Sequence, residues 1–233
     1  MESIAKSADG TVEYFADDRF MYAKKGGELY KLAVFDKNFY KLRLYNGVPI
    51  LEIDGLRMHL VKDFKTPLDY SKAVVRRLGV GEGEIVLDTC TGLGYTAIEA
   101  SLAAEKVVTC EISRAVLSLA EWNPWSGKLF KNKKIEIIRG DISEEVRKMD
   151  GVSFDAAIHD PPRFSKAGEL YSLAFYKELH RTLKHTGRLF HYVGSVGKGR
   201  GRSIPDEVTK RLVEAGFREV RYDKGLQGLF CKK

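Results

Sequence analysis

Four stretches of this chain hold residue types suited to binding a nucleoside and steering a group transfer. The first is Asp88-Thr89-Cys90-Thr91-Gly92-Leu93-Gly94-Tyr95-Thr96. Its glycines let the backbone approach a ligand, since no Cβ intervenes. The helix expected to open at its end offers free N–H groups. A plain strand-to-helix turn also favours glycine, so this motif alone decides little. The second is Glu111, 19 residues past Gly92. An acid ending the next strand can accept both hydroxyls of a ribose, and the pair at this spacing points to a nucleoside-containing cofactor. The third is Gly140-Asp141-Ile142. Its acid can meet an adenine amino group, cap the helix that starts at Ile142, or do both.

The fourth stretch is His159-Asp160-Pro161-Pro162-Arg163-Phe164. Two prolines directly after a core strand cannot continue a ladder. They set a rigid loop at the carboxyl edge of the sheet, where ligands of such sheets bind. Asp160 and the Pro161 carbonyl are both acceptors for an attacking amine. Arg163 can pair with a phosphate or carboxylate, and Phe164 can stack on a base. His159 should point away from the Asp160 side of the strand and reads as structural.

These residues need a scaffold that brings strand ends together, and the rest of the chain supplies one. From Gly83 onward strands alternate with helices. Strands are expected at 84–90, 106–112, 134–140, 154–160 and 188–194, and helices at 95–104, 114–122, 170–184 and 205–216. The last segment reads as two strands around Gly225. The fold class is therefore α/β: a Rossmann-like, mostly parallel seven-stranded sheet with an antiparallel C-terminal hairpin. Ahead of it, residues 11–62 read as short antiparallel strands. Turn signals stand at Asp17-Asp18, Gly26-Gly27, Asn46-Gly47 and Asp54-Gly55. At Thr66 the pattern turns helical, with Pro67 at the first position, Asp69 completing a box-like signal and Gly79 closing. The expected division is a β-rich N-terminal domain over 1–65 and a Rossmann-like domain over 66–233.

The chain of 233 residues carries a formal charge of +7. That favours polyanions, nucleic acid above all; a heat-adapted surface rich in ion pairs explains the same composition. Gly194 to Ser203, with Lys198, Arg200 and Arg202, is glycine-rich and cationic and suits an anionic substrate as well as it suits a solvated loop. Lys131, Lys133 and Lys134 read as surface. Trp122 and Trp125 are candidates for walling an adenine or for helix-end packing. Cys90, Cys110 and Cys231 show no metal spacing, so no metal is expected, and a reduced, cytoplasmic compartment is. No apolar run reaches a membrane span and the N-terminus has no secretory pattern, so no membrane partner is expected.

Taken together, the four stretches resemble the class I S-adenosylmethionine-dependent methyltransferases over residues 67–233. More narrowly, the Asp-Pro-Pro-Arg-Phe stretch behind a β-rich leader resembles a group of archaeal methyltransferases. The resemblance implies S-adenosyl-L-methionine as cofactor, with Asp88, Thr89, Gly92, Gly94, Tyr95, Thr96, Glu111, Ile112, Asp141, Ile142 and Asp160 around it. It implies Asp160, Pro161, Pro162, Arg163 and Phe164 as the catalytic loop positioning a nitrogen. Two departures stand out: Cys90 occupies a place where glycine is common, and Arg163 stands where an aromatic residue is usual. The expected function is methylation of an RNA nitrogen, with tRNA among the RNAs. The alternatives are a protein or small anionic substrate, an aminopropyltransferase of the spermidine synthase type, and a non-catalytic RNA-binding module. An NAD-linked oxidoreductase leaves the two prolines unexplained. Oligomeric state is left open.

Overall fold

The computed structural model describes residues 1–7, 9–164, 166–194 and 203–233. The cationic segment read between Gly194 and Ser203 therefore lies, apart from its two ends, outside the described residues.

The N-terminal part is built from hairpins, as its turn residues require. Strands β1 (Glu2–Lys6), β2 (Val12–Ala16), β3 (Met21–Lys25) and β4 (Glu28–Lys31) form one antiparallel sheet in chain order. Strands β5 (Ala33–Asp36), β6 (Asn38–Tyr45), β7 (Val48–Ile53) and β8 (Leu56–Arg57) form a second. The turns at Asn46-Gly47 and Asp54-Gly55 hold both central residues at positive φ (46° and 80°, 50° and 77°). That is the primed turn whose twist matches the strands it joins. Strand β1 lies ahead of residue 11, where the sequence pattern first shows strands.

Helix α1 (Pro67–Leu78) follows. Thr66 accepts from the Asp69 N–H, Asp69 reaches back to the Thr66 N–H at 3.0 Å, and Gly79 closes the helix at φ 74°. From there strands and helices alternate: β9 (Ile85–Asp88), α2 (Tyr95–Ala100), β10 (Lys106–Glu111), α3 (Arg114–Trp122), α4 (Gly127–Lys131), β11 (Ile135–Arg139), α5 (Ile142–Lys148), β12 (Phe154–His159), α6 (Leu173–Thr182), β13 (Leu183–Tyr192), α7 (Ile204–Glu214), β14 (Arg218–Asp223) and β15 (Gly228–Lys232). The seven strands lie in the order β11-β10-β9-β12-β13-β15-β14. The first five are parallel, and β15 inserts antiparallel between β13 and β14.

Several boundaries differ from the sequence reading, most of all at two helix ends. Helix α2 stops at Ala100 rather than 104, where the Ser101 hydroxyl turns back to the Ile98 carbonyl. Helix α6 ends at Thr182, and Leu183 already pairs with Phe154 as the start of β13. Residues 184–187 then bulge out before Arg188 rejoins the ladder opposite Ala156. The short helix α4 was not expected at all.

Both faces of the parallel sheet are buried. Val86, Ala156 and Ile158 pack with Val74 and Ala97 and with Leu42 and Leu51 of the N-terminal strands. Leu87, Ala157 and Leu189 pack on the opposite face with Val146, Leu179 and Leu212. Strands β9, β10 and β11 step outward in one direction, and the chain then returns to lay β12 on the other side of β9. That reversal opens a crevice at the carboxyl ends of the strands. Among the described residues no helix is long and apolar enough to cross a membrane.

Candidate active site

A cleft of about 370 Å³ occupies this crevice. The loop after β9 contributes Thr89, Cys90, Gly92, Tyr95 and Thr96; the end of β10 contributes Glu111 and Ile112; the turn after β11 contributes Gly140, Asp141 and Ile142; the loop after β12 contributes Asp160, Pro161 and Pro162. The four stretches singled out in the sequence thus meet in one space. The opposite wall comes from the N-terminal strands: Tyr40, Leu51, Ile53, Leu56, Met58 and His59, with Tyr70 of α1 between the two.

Glu111 accepts from the Gly92 N–H at 3.0 Å and from the Ser113 N–H at 2.9 Å, one on each carboxylate oxygen. Each oxygen keeps a free lone pair, so the group can still accept two hydroxyls. Burial pushes its carboxyl up from the ordinary value, with the backbone N–H groups opposing. Asp141 accepts from the Ser143 N–H at 2.8 Å and so caps α5 while lining the cleft. Its position serves both alternatives read from the sequence.

Asp160 is half-buried just past the end of β12, and desolvation pushes its carboxyl up to about 7. The Tyr70 hydroxyl donates to its Oδ2 at 3.3 Å across 90 residues of sequence. The proline loop is pinned from behind by the Tyr171 hydroxyl, which donates to the Pro162 carbonyl at 3.0 Å. Arg163 and Phe164 point elsewhere. Both are exposed, neither lines the cleft, and Phe164 meets Tyr171 edge-on with ring centroids 5.4 Å apart. Lys166, Ala167, Glu169 and Leu170 line the cleft on that side.

Two residues of the glycine motif lie one layer below the lining. Asp88 is fully buried and accepts from the hydroxyls of Thr109 (2.8 Å) and Thr96 (3.3 Å), which staple the loop to the sheet. Burial pushes it up to about 7 as well. Gly94, at φ 76°, has no room for a Cβ, which would sit 2.6 Å from the Leu129 side chain of α4. Gly92, at φ 53°, opens on empty space. The two glycines thus do different jobs: one admits α4 beneath the loop, and the other leaves space above it.

His159 is structural in its contacts. Its Nε2 lies 2.9 Å from the Leu170 carbonyl, which can only accept, so Nε2 carries the proton and Nδ1 accepts from the Thr89 hydroxyl at 2.7 Å. His191 repeats the arrangement, donating from Nδ1 to the His159 carbonyl and accepting from the Tyr176 hydroxyl. Burial holds both imidazoles below the ordinary value. Trp122 and Trp125 do not line the cleft; both pack against the core, and Trp122 meets Tyr30 with centroids 5.5 Å apart.

Sequence reasoning missed Tyr70, Tyr40 and His59. Tyr70 carried one weak signal, an aromatic four residues before Val74 on the apolar face of α1. Tyr40 and His59 carried none. The sequence motif places Tyr95 only against the ligand. Its hydroxyl instead donates to the Pro49 carbonyl of β7 at 2.9 Å and accepts from Asn123, tying the glycine loop to the N-terminal sheet.

Solved structures of this shape include a spermidine synthase in complex with the transition-state analogue AdoDATO, matched over 100% of this chain and 83% of that one with a TM-score of 0.71 at 18% identity. They also include an S-adenosylmethionine-dependent methyltransferase from Aquifex aeolicus, matched over 69% of this chain and 87% of that one with a TM-score of 0.52 at 21% identity. The fold is that of the S-adenosylmethionine-dependent methyltransferases, an enzyme fold whose cofactor is S-adenosylmethionine. The chain belongs to the family of the uncharacterized protein MJ1233 of Methanocaldococcus jannaschii, to which it is 44% identical over 100% of its own length and 82% of that protein's. More distant relatives are an uncharacterized RNA methyltransferase of Thermotoga maritima, 26% identical over 56% of this chain and 30% of that protein, and the tRNA (guanine(10)-N2)-dimethyltransferase of M. jannaschii, 32% identical over 43% and 30%. The chain thus spans less than a third of either of these two relatives. No family model matches it.

Proposed function

We propose that this protein transfers the methyl group of S-adenosylmethionine to a nitrogen of RNA. The observation that carries the reading is the Asp160 carboxylate, half-buried just past the end of β12 in the same cleft as Glu111 and Asp141. S-adenosylmethionine supplies an electrophilic methyl group on a sulfonium, and displacement needs mainly alignment, on the order of 7–11 kcal/mol in favourable cases. In this reading Glu111 holds the ribose hydroxyls and Asp141 and Ile142 border the adenine. Asp160 accepts an N–H of the incoming amine, orients its lone pair and offsets the positive charge that develops on it. A carboxyl near 7 is also matched to taking the proton released afterwards. Tyr70, fixed on α1, positions Asp160. The division at residues 65 and 66 belongs to the reading, with the first part acting as a wall for the second.

Two facts support RNA as acceptor. The distant relatives are named as RNA and tRNA methyltransferases. The positive excess also falls mainly in the part that carries the cleft's polar residues: residues 66–233 hold 28 Lys and Arg against 22 Asp and Glu, residues 1–65 only 11 against 10. A cationic surface of this kind steers phosphate backbones.

The likeness to a spermidine synthase over the whole chain, N-terminal strands included, favours a second reading as an aminopropyltransferase. One experiment separates them. Calorimetry with S-adenosylmethionine, S-adenosylhomocysteine and decarboxylated S-adenosylmethionine is followed by methyl-label transfer to unmodified tRNA and total RNA. Binding of the first two and label in RNA that disappears in Asp160→Asn support the proposal. Preference for the decarboxylated compound, with no label in any RNA, overturns it.

A further inference from the structure

The cleft is rich in acceptor side chains and poor in free donor side chains. Glu111, Asp141 and Asp160 all present carboxylates to it. Most hydroxyls in its lining already direct their single proton inward: Thr89 to His159, Thr96 to Asp88, Tyr70 to Asp160, Tyr95 to the Pro49 carbonyl and Ser71 to the Pro67 carbonyl. Lys166 is half-exposed and lies 3.5 Å from Asp54. S-adenosylmethionine nonetheless brings an α-carboxylate, which needs a donor of its own.

His59 offers one. Its Nδ1 accepts from the Leu51 N–H at 3.2 Å, so in the neutral ring Nε2 carries the proton. No described residue accepts from that Nε2–H, and among the described residues no side-chain nitrogen is both buried and unpartnered, so Nε2 keeps some exposure on a ring that lines the cleft. Its ring lies on Tyr95, centroids 5.5 Å apart, and Tyr95 is the first residue of α2, next to the glycine loop. The order of the site along the sheet edge puts Asp141 and Glu111 at one end, after β11 and β10. The glycine loop, Tyr95 and Asp160 stand at the other. A cofactor with its adenine at the first end carries its amino-acid part to the second.

We propose that His59, through its Nε2–H, holds the α-carboxylate of S-adenosylmethionine and so makes the cleft choose this compound over its decarboxylated counterpart. The proposal rests on the cofactor reading above and assigns the N-terminal wall a part in selecting the cofactor. It also gives the two readings a structural dividing line, since a decarboxylated cofactor has nothing for this donor to hold.

Two substitutions separate the donor from the wall. In His59→Asn the amide oxygen can replace Nδ1 opposite Leu51, but nothing reaches the place of Nε2. In His59→Gln the amide nitrogen reaches that place. Calorimetry on the full chain with S-adenosylmethionine, S-adenosylhomocysteine, decarboxylated S-adenosylmethionine and 5′-methylthioadenosine gives the readout. His59→Asn should weaken the two carboxylate-bearing compounds about tenfold or more. It should leave 5′-methylthioadenosine unchanged and erase the preference over the decarboxylated compound, and His59→Gln should restore part of that preference. An equal loss for 5′-methylthioadenosine, or an unchanged preference in His59→Asn, overturns the role of His59 alone. A wild-type chain that binds none of the four overturns the cofactor reading and this inference together.

Discussion

Along the parallel sheet, the strands that border the cleft end in polar groups: Glu111 after β10, Asp141 after β11, Asp160 after β12. The antiparallel strand β7 meets the same cleft with Leu51 and Ile53 and hides its one charged residue, Glu52, on the other side, 3.1 Å from Lys41. The difference follows from geometry. A parallel strand is buried on both faces, so its polar groups collect at its end, where the chain turns into a helix. An antiparallel strand alternates faces and can offer a smooth apolar wall along its length. In the proposed reading the parallel sheet supplies chemistry and the N-terminal sheet supplies enclosure. Burial in that enclosure pushes Asp160 up to about 7, while Asp88 reaches the same value inside the parallel sheet.

The comparison breaks most visibly at Asp160. Asp160→Asn keeps the shape and removes the charge, and methyl transfer should fall by at least about 100-fold while S-adenosylhomocysteine affinity changes little. The same substitution should stabilise the protein at high pH. The Asp160 carboxyl is about 7 when folded, above its ordinary value of 3.8. The folded state therefore holds an extra proton between these values, and stability drops as pH rises through that window. The gain in melting temperature of Asp160→Asn should be small at pH 4 and largest at pH 8. An equal gain at both would show that enclosure does not act on this group. Gly94→Ala tests the layer below. A left-handed residue with its Cβ 2.6 Å from Leu129 should cost about 2–3 kcal/mol in denaturant unfolding. Gly92→Ala shares the backbone strain but meets no neighbour, so it should cost less stability and act more on cofactor affinity.

Much of the parallel sheet was legible because its signals are local. Strands β9 to β12 are short runs closed by a glycine or an acid, and most of those closing residues line the candidate site. What was not legible arrives through packing. Tyr70 reaches Asp160 from a helix 90 residues earlier. His59 reaches the cleft from a segment that pairs as a strand only at Leu56 and Arg57, so period-two alternation could not place it. Leu183 fits the apolar rhythm of helix and strand alike, and its pairing with Phe154 decides for the strand. Helix α4 opens on Gly127 with no side-chain cap, and its buried residue, Leu129, is the one beneath Gly94. Tertiary contact, not propensity, makes it a helix.

The joint between wall and sheet gives two smaller effects. Tyr95→Phe removes the hydroxyl that connects the Pro49 carbonyl to Asn123, leaving both without that partner in a buried place. About 1–2 kcal/mol of stability should go, with cofactor affinity falling as the glycine loop loses its tie to β7. Thr66→Ala should do less. Thr66 begins α1, and its hydroxyl and backbone exchange bonds with Asp69. Losing a cap of this kind costs about 1 kcal/mol. The turn it frays is the one that carries Tyr70, so the loss should reach chemistry through Asp160 rather than through the cofactor. A modest drop in kcat with unchanged S-adenosylhomocysteine affinity is the expected signature. If affinity fell and kcat held, α1 would belong with the enclosing wall, and the division between a sheet that reacts and a sheet that encloses would have to be drawn after residue 78 instead of at Thr66.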